Sequence, residues 1–386
     1  MEINVKKIGL LTLSASDNCG SLLQCYALKE ILSSFGCVEV INFSTKKSHE
    51  LYDLPKLKLT YILKLIFRNK KRKAYFRFLK SKIAYQYFRE KFLSIKHPEI
   101  FPEEIQNIKD KYDVVVVGSD QVWNVCMVDF DDSFFCGWTD KRKVAYAPSL
   151  GGHDIRESNN YEKIVKILND FDYVSVRESS GKNCLENILE KTIPQLLDPT
   201  LLLSENKWQN LIEITHPYIK NNLLKNNKKF IFFYSWAYIN ENTISIVQKE
   251  SKRLGLPVYV LDARKWMHHD EKKYGFKLFE EDGPFSFLYL MKNAEQVYVE
   301  SFHGVIFSSI FKKEFFLLDD HKDFSEMDLR LRDILILLNA KERVLTPSNY
   351  DYIDFNSIPE VDSISDNKIL KDMQEKSMEY IKNSLQ

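Results

Sequence analysis

The chain has 386 residues, and its 55 Lys and Arg against 54 Asp and Glu leave a formal net charge of +1, so whole-chain charge gives no reason to expect a polyanionic partner such as nucleic acid. Hydrophobic residues make up 44% and aromatics 13%, enough to fill two cores at a length that exceeds the usual single one. Six cysteines without a C-x-x-C pair predict reduced thiols, and the eight histidines, with only His268 and His269 adjacent, predict no metal site.

The opening residues lead into an apolar run that Ser14 to Asn18 interrupts, so no signal peptide is expected. No uncharged apolar run reaches about 18 residues, so no transmembrane helix is expected. Both point to a cytoplasmic protein. An apolar run at 8–13, a polar loop, a helical pattern at 21–35, Gly36 and a second apolar run at 38–43 predict the opening βαβ unit of a parallel sheet. Further buried strands are expected at 114–117, 144–147, 173–176 and 193–197. After Asp198-Pro199-Thr200 and a Lys/Asn-rich stretch at 220–229 the rhythm restarts. Strands are expected at 230–234, 258–261, 296–299 and 315–318, and helices at 241–254, 285–292, 305–311 and 329–338.

The pattern therefore predicts two α/β halves: residues 1–200 as one domain, and residues 201–386, ending in a C-terminal helix, as the other. Ligands of such sheets sit at the carboxyl ends of strands, and between two halves that means a cleft. Residues 46–97 break the rhythm. Between Lys46 and Lys96 sixteen Lys and Arg face only Glu50, Asp53 and Glu90 among helically spaced aromatic and aliphatic residues, a basic amphipathic helical insertion. Packing on the first domain is one reading of it, and peripheral contact with the anionic inner face of a membrane is the other. No nucleic-acid motif accompanies the charge.

Chemistry is expected where polar residues interrupt strands and start helices. Ser301-Phe302-His303-Gly304 follows the strand at 296–299 and opens an apolar helix. Its N–H groups, with a hydroxyl and an imidazole, suit an anion. A buried, backbone-satisfied histidine is the alternative. Gly118-Ser119-Asp120-Gln121-Val122-Trp123-Asn124 follows the strand at 114–117. Its carboxylate, amide and indole suit a sugar, unless Trp123 is core and Asp120 a helix cap. Asn18-Cys19-Gly20 precedes a helix bearing Gln24, a weak anion signal by itself. Arg177 at a strand tip suits a carboxylate or phosphate, or pairs structurally with an acid such as Glu178.

Taken together, Asn18-x-Gly20-x-x-x-Gln24, the Gly118–Asn124 string, Ser175-Val176-Arg177-Glu178, Leu197-Asp198-Pro199-Thr200 and Ser301-Phe302-His303-Gly304 resemble the polysaccharide pyruvyl transferase family, in order along nearly the whole chain. The resemblance implies two Rossmann-like domains facing across a cleft, as in the B-type glycosyltransferase architecture. It implies transfer of pyruvate from phosphoenolpyruvate to two hydroxyls of a sugar in a cell-surface polysaccharide or its precursor, lipid-linked or not, as a cyclic ketal. No metal or redox cofactor is implied. The roles that follow are catalysis by His303 and Asp120, donor binding by Arg177, Ser301, Gly304 and Lys313, and acceptor binding by Asn18, Gly20, Gln24, Ser119, Gln121 and Trp123. A B-type glycosyltransferase using a nucleotide sugar, and a silent partner in glycan assembly, are the competing readings.

Overall fold

The structure is a computed structural model that describes residues 5–54, 69–214, 229–235, 240–261, 266, 271–279, 281–321, 323–360 and 367–386. Residues 55–68 of the basic segment, the stretch 220–228 and the pair His268 and His269 lie outside the described residues. The chain forms two compact units. Met1–Asp53, Tyr87–Leu203 and Lys368–Gln386 make the first, and Leu54–Gln86 and Ser204–Asn367 make the second.

The first unit is built on β1 (Lys7–Leu11), β2 (Cys37–Val40), β3 (Val114–Val117) and β4 (Arg142–Ala145) in the order β2-β1-β3-β4. All three pairings are parallel. β3 is four consecutive valines, every one buried, as expected of a central strand covered on both faces. The strands expected at 173–176 and 193–197 survive only as isolated parallel bridges, Val144 to Tyr173 and Val176 to Gln195. Helix α1 (Cys19–Leu32) begins where the Asn18 side chain accepts the N–H groups of Gly20 and Ser21, the arrangement an N-cap residue supplies. From β2 the chain passes beyond β1 to reach β3, so the connections diverge between the carboxyl ends of β1 and β3. That switch point is where open parallel sheets hold ligands.

Among the described residues the second unit has six parallel strands: β5 (Ile231–Tyr234), β6 (Val258–Val260), β7 (Lys277–Leu278), β8 (Gln296–Val299), β9 (Glu314–Leu318) and β10 (Val344–Leu345). Their order is β10-β9-β8-β5-β6-β7. Its switch point lies between β5 and β8. The two-residue strands β7 and β10 escaped the sequence reading because two residues carry no periodicity to detect.

Two boundaries differ from the sequence expectation. The C-terminal helix Lys368–Leu385 belongs to the first unit rather than the second. Its buried Ser377, Ile381, Ser384 and Leu385 form a single stripe. The Tyr380 hydroxyl donates to the Ala145 carbonyl at 2.9 Å, Gln374 donates to Leu201 at 2.6 Å, and Ser377 accepts the Leu197 N–H at 3.1 Å. The basic segment is likewise no insertion of the first unit alone. It contains helices Lys46–Tyr52 and Asn69–Phe92, and the long one runs from the second unit into the first at Tyr87. Ser81 donates to Asp282 at 2.8 Å in the second unit. Arg89 donates to the Ser14, Ala15 and Ser16 carbonyls at 2.9 Å each and to Asp17 at 2.6 Å in the first. One residue of an apparently solvated charge run therefore holds the loop that follows β1.

Candidate active site

At the switch point of the first unit the loop after β3 crosses the one after β1. Gly118 has φ 113°, and a Cβ there would stand 2.2 Å from the Tyr146 carbonyl oxygen, so only glycine lets the strand turn at this place. Thr12 links the two loops, its hydroxyl donating to the Ser119 carbonyl at 3.1 Å and accepting from Gln24 Nε2 at 2.8 Å. Gln24 is fully buried and its Oε1 meets no donor. Asp120 is 5% exposed at φ 68°. Its Oδ1 accepts the Gln121 N–H at 2.9 Å, while Oδ2 is buried with no partner.

A buried acceptor without a donor costs about 1–3 kcal/mol. Asp120 Oδ2, on the loop after β3 where the topology puts ligands, suits a hydroxyl donor, whereas Gln24 lies inside helix α1.

The remaining first-unit motifs form the frame of this loop. Glu178 Oε1 accepts from the Ser149 hydroxyl and the Leu150 N–H, each at 2.8 Å. Ser149 in turn donates its N–H to the Asp120 carbonyl at 2.7 Å and accepts the Trp123 N–H at 3.2 Å. Arg177 pairs with Asp198 at 2.9 Å and lies 3.7 Å from Glu178. Asp198 also receives the Thr200 N–H and hydroxyl at 3.1 and 2.7 Å. Ser175 accepts the Ala147 N–H at 2.9 Å and Ser119 donates to the Ala147 carbonyl at 2.8 Å. Residues far apart in sequence thus form one bonded frame that ends at Asp120.

Several expected roles are corrected by this geometry. Trp123 is 0% exposed, stacks on Phe135 at 5.4 Å and donates its indole N–H to Phe134 at 3.1 Å, so it fills the core and offers no face to a sugar. Arg177 has a side chain only 3% exposed and is committed to two carboxylates, which corrects its assignment to donor binding. Asn18 caps α1, and Gly20 is buried within it. Ser119 is fully buried and bonded into the frame. Gln121 is half-buried and accepts from Asn124 Nδ2 at 3.0 Å.

In the second unit, Ser301 caps helix α9 (Phe302–Ile310; the ninth α-helix among the described residues) by accepting the Gly304 N–H at 3.1 Å. A Cβ on Gly304 would stand 2.8 Å from both Ser301 Oγ and Val299 Cβ, so the glycine allows the helix to start against the strand end. His303 is half-buried in the first turn, edge-on to Phe302 at a ring separation of 5.3 Å. Beside it, and unforeseen as a site residue, Glu300 directly follows β8 and accepts from the hydroxyls of Ser235, which follows β5, and of Thr243. A carboxylate on the first residue after the strand was the available signal.

Lys313 stands apart from this group. It follows the far end of α9, nine residues or about 13 Å along the axis, and donates to the Lys292 carbonyl at 3.2 Å. Burial lowers its pKa from the ordinary value against the pull of Glu295. A lysine at the amino edge of β9 cannot share an anion with His303 at the carboxyl edge of β8.

Two α/β units, each with a parallel sheet whose switch point carries a conspicuous polar turn, define a fold of the B-type glycosyltransferase kind. Its solved relatives include the UDP-GlcNAc 2-epimerase from Methanocaldococcus jannaschii, at TM-score 0.51 and 14% identity over 92% of this chain and 94% of that one. A putative UDP-N-acetylglucosamine 2-epimerase from Listeria monocytogenes matches at TM-score 0.50 and 10% identity over 96% and 91%. Identities this low speak for the fold alone. No curated protein matches in sequence. The family profile described as polysaccharide pyruvyl transferase matches residues 18–322, and the chain belongs to that family of transferase enzymes. Among the described residues no helix is long and apolar enough to cross a membrane.

Proposed function

We propose that the protein transfers pyruvate from phosphoenolpyruvate onto two hydroxyls of one sugar in a polysaccharide or its precursor, forming a cyclic ketal. The observation that carries this reading is the Asp120 carboxylate: one oxygen fixed by Gln121, the other buried without a donor, at the switch point of a chain whose family moves pyruvyl groups. The reaction needs a proton delivered to the methylene carbon of the enol ester, a hydroxyl added to the neighbouring carbon, phosphate expelled and a second hydroxyl added. Of the two hydroxyl protons, one ends in the new methyl group and the other leaves with phosphate.

In this scheme Asp120 takes a proton from an attacking hydroxyl. The α9 N-terminus, with Ser301 and His303, receives the phosphate or carboxylate of the donor, and the imidazole relays a proton. No metal or redox group enters these steps. An acceptor carried on a lipid would bring the protein to an anionic surface, and the helix Asn69–Phe92 supports that reading. Phe76, Ile83 and Tyr87 are exposed and share one face of it with exposed Arg72, Lys73, Lys80 and Lys91, a combination suited to anionic headgroups.

The test is donor identity. Phosphoenolpyruvate at about a hundred times its dissociation constant should raise the unfolding free energy by about 2.7 kcal/mol, and UDP-GlcNAc at equal concentration should not. Stabilisation by UDP-GlcNAc alone would give the site to a nucleotide sugar.

A further inference from the structure

We propose that Cys126, His153 and Glu157 form a binding site for a divalent transition-metal ion of the zinc type on the first unit, with a fourth position open to water or another oxygen ligand. One ligand atom from each lies within 4.8 Å of the other two. Cys126 Sγ is 3.3 Å from Glu157 Oε2, and His153 Nδ1 is 3.6 Å from Glu157 Oε1. Zinc bonds of about 2.3 Å to sulfur and 2.0–2.2 Å to nitrogen and oxygen, at tetrahedral angles, place ligand atoms about 3.4–3.6 Å apart. Cys126 Sγ and His153 Nδ1 each approach a different oxygen of Glu157 at close to this spacing, and gathering the three ligand atoms around one ion needs only a rotamer adjustment of exposed side chains.

The ligand set is chemically apt as well as close. A thiolate and an imidazole select zinc-like ions over calcium or magnesium, and one carboxylate brings the ligand charge to −2. Each ligand is held by the backbone around it. Asn124 Oδ1 accepts the Cys126 N–H at 3.1 Å, the His153 N–H donates to Leu150 at 3.1 Å, and Glu157 Oε1 accepts the Asp154 N–H at 2.9 Å within a capping box. The C-x-x-C search in the sequence missed the cluster because Cys126 comes from one loop while His153 and Glu157 come from another. On uptake the Cys126 S–H bond breaks, its proton passes to solvent, and the thiolate joins the imidazole and the carboxylate around the ion.

The position gives the site a bearing on the neighbouring loop. The Asn124 that fixes Cys126 also donates through Nδ2 to Gln121 at 3.0 Å, and Gln121 is the residue after Asp120. The ion would clamp the outer side of the Gly118–Asn124 turn without touching Asp120. This inference does not depend on the donor or the acceptor, and its readout is metal binding rather than turnover.

Cobalt(II) is the probe, titrated into the reduced, metal-stripped full chain. The expected result is one saturable equivalent with a thiolate-to-cobalt charge-transfer band, displaced by zinc(II) and accompanied by proton release. Cys126→Ser should abolish the band, and His153→Ala and Glu157→Gln should each weaken cobalt binding at least about tenfold, all three with unchanged melting of the metal-free chain because the side chains are exposed. Cys37→Ser, which removes another exposed thiol, should leave the band intact. Absence of the band, its persistence in Cys126→Ser, or affinity unmoved by both His153→Ala and Glu157→Gln would overturn the site.

Discussion

Asp120 and His303 differ in what surrounds them, and the difference predicts how their loss reads out. Asp120 Oδ2 is buried without a donor, so Asp120→Asn keeps the shape, removes an uncompensated charge and should leave the melting temperature unchanged or higher. If that carboxylate accepts the hydroxyl proton, phosphate release per folded molecule should fall about 10²–10⁴-fold. His303→Ala should cost a comparable factor, since the imidazole sits in the first turn of α9, half-buried and outside the large core clusters. Melting and phosphate release measured on the same samples decide between roles. A loss of activity only in proportion to unfolded protein would make either residue structural. Arg177 is the counterexample: buried beside Asp198 and Glu178, its replacement by Ala should cost about 3–5 kcal/mol of stability, read as a lower denaturant midpoint.

At the scale of the element, the sequence disclosed turns better than it disclosed roles. The Gly118–Asn124 and Ser301–Gly304 strings were legible because a strand's apolar run ends abruptly in polar residues, and both fell at switch points. Trp123 misled because an indole beside Asp and Gln looks the same in sequence whether it faces a sugar or Phe135. Arg89 misled for a related reason: a residue in a run of sixteen cations reads as solvated, and only the fold shows it collecting carbonyls after β1. Arg72, Lys73, Lys80 and Lys91 of that helix are exposed. Phe76, Ile83 and Tyr87 are 55%, 61% and 38% exposed, a face too apolar to be wasted on water alone. The protein should therefore sediment with vesicles containing anionic phospholipid at low salt and release as ionic strength rises, each lysine or arginine near the surface adding about 1 kcal/mol. Phe76→Asp with Ile83→Asp should abolish binding without altering phosphate release from a soluble acceptor. Equal affinity for neutral vesicles would remove the electrostatic part of the reading.

For the whole molecule, the sequence correctly indicated two parallel α/β halves but misassigned the last helix, since a hydrophobic stripe states that a helix docks and not on which sheet. That assignment has a consequence for folding. The first unit is assembled from three separate segments, and its last helix completes it. Without residues 368–386 the Leu197 N–H loses Ser377, the Ala145 carbonyl keeps only the Ser175 N–H and hydroxyl, and the surfaces under Ile381 and Leu385 face water. The orphaned Leu197 N–H costs about 1–3 kcal/mol, and each uncovered aliphatic side chain about 1.5–3 kcal/mol. The sum approaches the entire stability of an ordinary domain, about 5–15 kcal/mol. A fragment of residues 1–203 should accordingly show no cooperative thermal transition, and adding a peptide of residues 368–386 should restore one at a concentration-dependent midpoint. A cooperative melt from the fragment alone, indifferent to the peptide, would mean that the C-terminal helix only decorates a unit already complete.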